Sequence, residues 1–180
     1  MYTDAYEGGL LVYGDLVNNT GASQEIFDIV GTFYDGQGQV VADETSTYSY
    51  WPVLVIPPGG RMPFELTVEG TRSADTYDLR VDAEPSGEAP RQDFEFFDLY
   101  QRDEGYGYCV GGTLRNPGGE LQDDLVVVGA LYDAQDTVIG FGEYYPYFDG
   151  LVGDQTEDFE VCADRFNQEV ARYELRAWGQ

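Results

Sequence analysis

Residues 14–41 align without a gap on residues 112–139, at a shift of 98 positions, and eleven of the 28 pairs are identical. The identities include Gly14/Gly112, Leu16/Leu114, Asn18/Asn116, Gly31/Gly129, Tyr34/Tyr132 and Asp35/Asp133. Most other pairs exchange like for like, as in Ile29/Val127 and Phe33/Leu131. A repeat near 95 residues is too long for a solenoid unit and has the length of a small domain. The chain is therefore expected to fold as two copies of one domain. The boundaries predicted are 1–84 for the first copy, 85–93 for a linker marked by Pro85 and Pro90, and 94–180 for the second.

The pattern within each copy is that of short strands. Leu10 to Leu16 is predicted as a strand, the turn Asn18-Asn19-Thr20-Gly21 follows, and Phe27 to Tyr34 is predicted as a central strand, apolar on both faces. Asp35-Gly36 marks a hairpin, with Gln39 to Thr47 as the returning strand. Pro57-Pro58-Gly59-Gly60 precedes Met62 to Val68, and Tyr77 to Ala83 closes the unit. In the second copy, Tyr108 to Leu114, Leu125 to Tyr132 and Thr137 to Tyr144 take the same places. Phe159-Glu160-Val161 answers Phe64-Glu65-Leu66, and Tyr173 to Arg176 answers Tyr77 to Arg80. Phe94 to Tyr100 is an extra leading strand, matched in the first copy by Tyr2 to Tyr6 alone. The chain is thus expected to begin inside its first strand, with a leader or anchor upstream. One helical turn is expected at Asp164 to Glu169, capped by Asp164. Strands at this spacing predict an all-β protein of two tandem immunoglobulin-like antiparallel β-sandwiches. Gly31 and Gly129, inside the central strands, are expected where a neighbouring side chain needs the room of a missing Cβ.

Charge and residue usage exclude several functions. There are 34 acidic residues against nine basic ones, all Arg, for a formal net charge of -25. Such a field repels nucleic acid and anionic membranes. Adaptation to high salt accounts for a Lys-free acidic surface; calcium binding, and an Arg-rich codon bias in a secreted protein, are the competing accounts. The chain has no His, which removes the commonest general base and metal ligand and every Ser-His-Asp or Cys-His device. No apolar run reaches the 18 residues of a spanning helix. No cofactor motif occurs, and no catalytic residue can be chosen from so many carboxylates without being arbitrary.

Cys109 and Cys162, both in the second copy, open one predicted strand and end another. If those strands are antiparallel neighbours, the two thiols meet. The expected disulfide closes a long loop and contributes roughly 3–4 kcal/mol. It also points to an oxidising, extracellular or cell-surface location.

The segments Gly31-Thr32-Phe33-Tyr34-Asp35 and Gly129-Ala130-Leu131-Tyr132-Asp133 resemble the FxLYD domain family, with Gly in the place of the first motif Phe. Gly14 to Asn19 is similar to that family's first strand and Asn turn, and Pro58-Gly59 with Pro63 to Leu66 to its later turn and Phe strand. The second copy has Gly153-Asp154 in place of Pro-Gly. The resemblance implies small immunoglobulin-like modules in secreted or surface-anchored prokaryotic proteins. It carries no catalytic residues to transfer.

Binding residues are sought among the aromatics that follow the return strands. These are Tyr48, Tyr50 and Trp51 in the first copy, and Tyr144, Tyr145, Tyr147 and Phe148 in the second. Tyr and Trp stack on sugars and anchor protein interfaces, but the same rings could close the ends of the sandwiches. For calcium, Asp35, Asp133 and Asp136 sit in hairpins and Asp123 and Asp124 precede a strand, without an Asp-x-Asp-x-Asp-Gly loop. Asn18-Asn19-Thr20 matches a glycosylation sequon. The expected function is that of a non-enzymatic extracellular module pair for adhesion, scaffolding or protein interaction. The alternative is a carbohydrate- or peptide-binding protein that uses the aromatics.

Overall fold

The computed structural model describes residues 2–6, 9–121, 125–146, 151–165 and 168–179. It is all-β and divides into two compact units, Met1–Glu88 and Ala89–Gln180. Among the described residues no helix is long and apolar enough to cross a membrane.

The first unit contains β1 (Tyr2–Tyr6), β2 (Gly9–Val17), β3 (Gln24–Tyr34), β4 (Val40–Ala42), β5 (Thr47–Tyr50), β6 (Val55–Ile56), β7 (Arg61–Glu69) and β8 (Thr76–Pro85). One sheet has the order β1-β2-β7-β5, and in the other β3 pairs with β4, β6 and β8. All pairings are antiparallel. Alternation fixes which face is core: Leu10 and Val12 of β2, and Met62, Phe64, Leu66 and Val68 of β7, meet Ile26, Ile29 and Phe33 of β3. Each such side chain, fully buried, contributes about 1.5–3 kcal/mol.

The second unit contains β9 (Glu95–Asp103), β10 (Gly107–Arg115), β11 (Leu125–Tyr132), β12 (Val138–Tyr144), β13 (Thr156–Asp164) and β14 (Arg172–Gly179). Its sheets run β13-β10-β9 and β12-β11-β14. Leu114, Leu125, Val127, Phe159, Val161 and Ala177 form the core between them.

The registers show that the two units are copies residue by residue. Gly14 stands opposite Phe64 as Gly112 stands opposite Phe159. Gly31 faces Leu79 and Phe33 faces Tyr77; Gly129 faces Leu175 and Leu131 faces Tyr173. A Cβ on Gly31 would come within 2.8 Å of both Leu79 and the Phe33 ring, and one on Gly129 within 3.1 Å of Val161. The glycines of the central strands therefore make room for neighbouring side chains.

Three details differ from the sequence expectation. The return strand expected over Gln39 to Thr47 is broken. It stops at Ala42, and a 3-10 turn at Glu44–Ser46, capped by the Asp43 carboxylate on the Thr45 N–H, carries the chain across to the opposite sheet as β5. The stretch 85–93, expected as a linker, contains the boundary between the two units after Glu88, but its ends are paired. Pro85 ends β8, Ser86 N–H donates to the Ser23 carbonyl, Arg91 bridges to Gly179 and Phe94 is buried. The helical turn expected at Asp164 to Glu169 falls partly on residues 166–167, outside the described residues; Asp164 itself ends β13.

Candidate functional site

The aromatic candidates separate by strand register. β5 is an edge strand, paired with β7, and its residues alternate between half-buried Thr47 and Ser49 and exposed Tyr48 and Tyr50. Tyr48 is 59% and Tyr50 46% exposed. Ser49, on the other face, reaches the opposite sheet, where its hydroxyl donates to Asp28 Oδ1 at 3.1 Å. That bond fixes which face of β5 turns outward. Trp51 packs against the first core instead of projecting.

In the second unit Tyr144 is the last residue of β12, lies opposite Val127, and packs against the core. Burial, followed by the charge of Glu157, pushes its phenol above the usual tyrosine range. Tyr145, one residue on, is half-exposed. Tyr147 and Phe148 lie outside the described residues. The exposed aromatics among the predicted set are thus Tyr48, Tyr50 and Tyr145. Exposed apolar side chains that the sequence reading passed over lie on β9: Phe97, Leu99 and Tyr100. The Tyr100 ring lies across Gly111, whose absent Cβ it would overlap, and its hydroxyl donates to Glu160 at 2.9 Å. This hydrogen bond, with burial second, raises the Tyr100 phenol above its ordinary value. Two facts available in the sequence hinted at this placement: the alternation over Phe94 to Tyr100 and the doubled glycine Gly111-Gly112.

The acidic hairpins are occupied by their own backbone. Asp35 Oδ1 accepts from the N–H groups of Gln37 and Gln39 at 2.9 and 2.8 Å. Asp133 Oδ1 does the same with Gln135 and Thr137 at 2.9 and 2.8 Å. Asp136 pairs with Arg172. These carboxylates complete turns, so their positions follow from folding without a metal. Asp123 and Asp124 lie outside the described residues. Among the described residues, the acid and sulfur ligands that come close enough for one ion are Cys109, Glu160 and Cys162. Both sulfurs there are already bonded to each other.

The sequon asparagine is a structural residue. Asn18 is 6% exposed, and its amide donates to the carbonyls of Ala22 and Ile56, both at 2.8 Å. Asn116 repeats this with Gly119 and Leu151, both at 2.8 Å, and is fully buried. In each side chain one amide hydrogen closes the local turn and the other ties it to a distant segment, the end of β6 in the first unit and the loop before β13 in the second. Identity of Asn18 and Asn116 in the two copies was the signal for this role.

Cys109 and Cys162 form the expected disulfide. They are direct partners across β10 and β13, with Cα atoms 4.0 Å apart. The pair lies on the same sheet as Arg102, whose Nη2 is 3.8 Å from Cys109 Sγ and 3.0 Å from Glu160 Oε1.

No protein-family model matches the chain, and no curated protein is similar to it. Among solved structures, a β-glucuronidase from glycoside hydrolase family 2 aligns at 8% identity with a TM-score of 0.33. A family 2 glycosyl hydrolase from Bacteroides cellulosilyticus aligns at 10% identity and 0.29. The chain spans 21% and 28% of the lengths of those enzymes, and they span 92% and 96% of it. The CupB2 chaperone of Pseudomonas aeruginosa aligns at 12% identity, a TM-score of 0.25, and 92% of its own length. Likenesses this distant carry no functional argument.

Proposed function

We propose that the chain is a non-enzymatic, extracellular or cell-surface pair of modules for protein interaction, related to the FxLYD domains it resembles. The observation that carries this reading is the outward pair Tyr48 and Tyr50 on the edge strand β5. Rings of this kind anchor interfaces at low entropic cost, and an edge strand offers backbone groups to an extended partner. The acid surface favours a partner with basic residues. A disulfide supports an oxidising location. The lack of His and the structural use of the hairpin carboxylates support a non-catalytic role.

The second reading is carbohydrate or peptide binding by the same rings. Tyr48 and Tyr50 are two residues apart on one strand face, a spacing of roughly 7 Å. One experiment separates the readings. The protein and its Tyr48→Ser/Tyr50→Ser variant are applied to an array of extended Arg-containing peptides and to a glycan array. Peptide binding lost in the variant supports interaction through β5, and glycan binding lost in the variant supports the second reading. Silence on both arrays, or binding that the variant retains, removes the assignment to these tyrosines.

A further inference from the structure

The two sulfurs of the disulfide stand in unlike surroundings. Cys109 is 1% exposed, whereas Cys162 is an exposed residue of β13. The Arg102 guanidinium lies opposite Cys109 on β9, with Nη2 3.8 Å from its sulfur. Glu160 Oε1 lies 3.9 Å from the Cys162 sulfur and is held there by the same Arg102. A second carboxylate, Glu104, takes Arg102 Nε at 2.9 Å. The bridge is thus exposed at one end and beside a cation at the other.

We propose that this bridge is a thiol-exchange site, attacked at Cys162 by small neutral or cationic thiols. Exchange requires in-line access to one sulfur and stabilisation of the thiolate that departs from the other. Access favours Cys162. Stabilisation favours Cys109, because negative charge arriving on its sulfur meets Arg102, while charge on the Cys162 sulfur would meet Glu160. In the step, the incoming thiolate forms a bond to Cys162 Sγ and the Cys109–Cys162 bond breaks. Its electron pair leaves on Cys109 Sγ. A second thiolate then attacks the mixed disulfide, releasing the Cys162 thiolate and the oxidised small disulfide. The external thiol is the reductant, and the protein's two sulfurs take up the electrons. Glu160 and the net charge of -25 repel anionic thiols, so the site selects by charge.

The test uses the full chain under native conditions. Cysteamine, mercaptoethanol and mercaptoethanesulfonate are compared at equal thiolate concentration, with acid quench, alkylation and peptide mass mapping. The adduct is expected on Cys162 with Cys109 alkylated, by a ratio of about tenfold or more. Rates should fall from the cationic to the anionic thiol, and the spread should collapse near 1 M salt, where the Debye length is about 3 Å. Arg102→Gln should slow exchange several-fold, and Glu160→Gln should speed it. Adducts mainly on Cys109, equal rates for the three thiols, or no native-state adduct would overturn the proposal. A similar acceleration in both variants would also overturn it, since that is what simple loosening of the sheet produces.

Discussion

Replacing Asn116 by Ala tests whether one buried amide holds the second unit together. Its side chain makes four bonds: to the Gly119 and Leu151 carbonyls at 2.8 Å, from Gly118 N–H at 3.0 Å, and from Arg91 Nη2 at 2.9 Å. The bond to Leu151 is fully buried, and a bare carbonyl there costs about 1–3 kcal/mol. The other three are part-buried and partly replaceable by water, at about 0.5–1.5 kcal/mol each. The sum is on the order of 2.5–7.5 kcal/mol. For a unit of this size each kcal/mol moves the midpoint by about 4–8 °C, so a fall of at least roughly 10 °C is expected. Differential scanning calorimetry of the full chain reads it, and the fall should be confined to one transition, because every partner of Asn116 belongs to Ala89–Gln180. Asn18→Ala should act on the other transition, and less strongly, since Thr20, which donates both bonds to its oxygen, is exposed. A shift in the second unit below about 5 °C would refute the reasoning, because it would mean that water satisfies the Leu151 carbonyl.

Gly31→Ala places a Cβ 2.8 Å from Leu79 and Phe33, and overpacking of this kind should cost about 1–3 kcal/mol in urea unfolding; an unchanged midpoint would show that Leu79 moves aside freely. Added salt should raise the melting temperature, since -25 charges repel one another across the folded surface, and a flat response up to molar salt counts against self-repulsion. Chelator should leave the melting temperature where it is, because Asp35 and Asp133 already accept two backbone N–H groups each; a fall reversed by calcium would contradict this. In alkali, Tyr100 and Tyr34 have phenols raised in the fold, Tyr100 chiefly by its bond to Glu160 and Tyr34 chiefly by burial, with the bond to Asp78 second. A folded value above the unfolded one means that their contribution is present below about pH 10 and is lost as pH rises through the folded values. Tyrosinate absorbance should therefore show a late-titrating fraction, and Tyr100→Phe should remove part of it.

The strand framework was legible because β7 and β13 carry a period of two and the repeat supplied β2 and β3 with second witnesses in β10 and β11. The hairpin at Asp35 was legible for a reason other than the one that suggested it. The Asp-Gly pair predicts a tight turn, but Gly36 is not the residue with positive φ; Gly38 is, at 77°. The second copy has neither glycine, yet Asp136 adopts 65° and the turn closes through the same backbone N–H bonds to the Asp133 carboxylate. The carboxylate shared by Asp35 and Asp133 was the informative residue. Likewise, Asp154 holds 62° where Gly59 holds 73°, so the missing Pro-Gly pair leaves the turn intact. Asp tolerates this region better than most side chains do. The break after Ala42 was not legible. Whether a strand continues or crosses to the opposite sheet depends on which edge is open, and no local pattern records that.

The candidate site was less legible, because a side chain's face depends on strand register as well as on residue type. Tyr144 and Tyr145 are adjacent and chemically identical, yet one packs on the core and the other faces solvent, since register sets Tyr144 opposite Val127. Tyr48 and Tyr50 face outward because Ser49 between them is drawn to Asp28. A shift of one residue would bury both rings and expose Ser49. The two copies share what the backbone needs: the turn carboxylates, the buried asparagines and the strand glycines. They differ where side chains leave the framework. β5 pairs with β7 in the first unit, and among the described residues β13 of the second unit has no such partner beyond β10. The disulfide and its Arg102–Glu160 pair occur in the second unit, whereas Leu11 and Thr67, the pair in the first unit that corresponds to the cysteines, are not cysteines. Duplication thus frees each copy's surface to diverge while the framework stays constrained, and the aromatic edge and the exchangeable bridge are separable tests of that division.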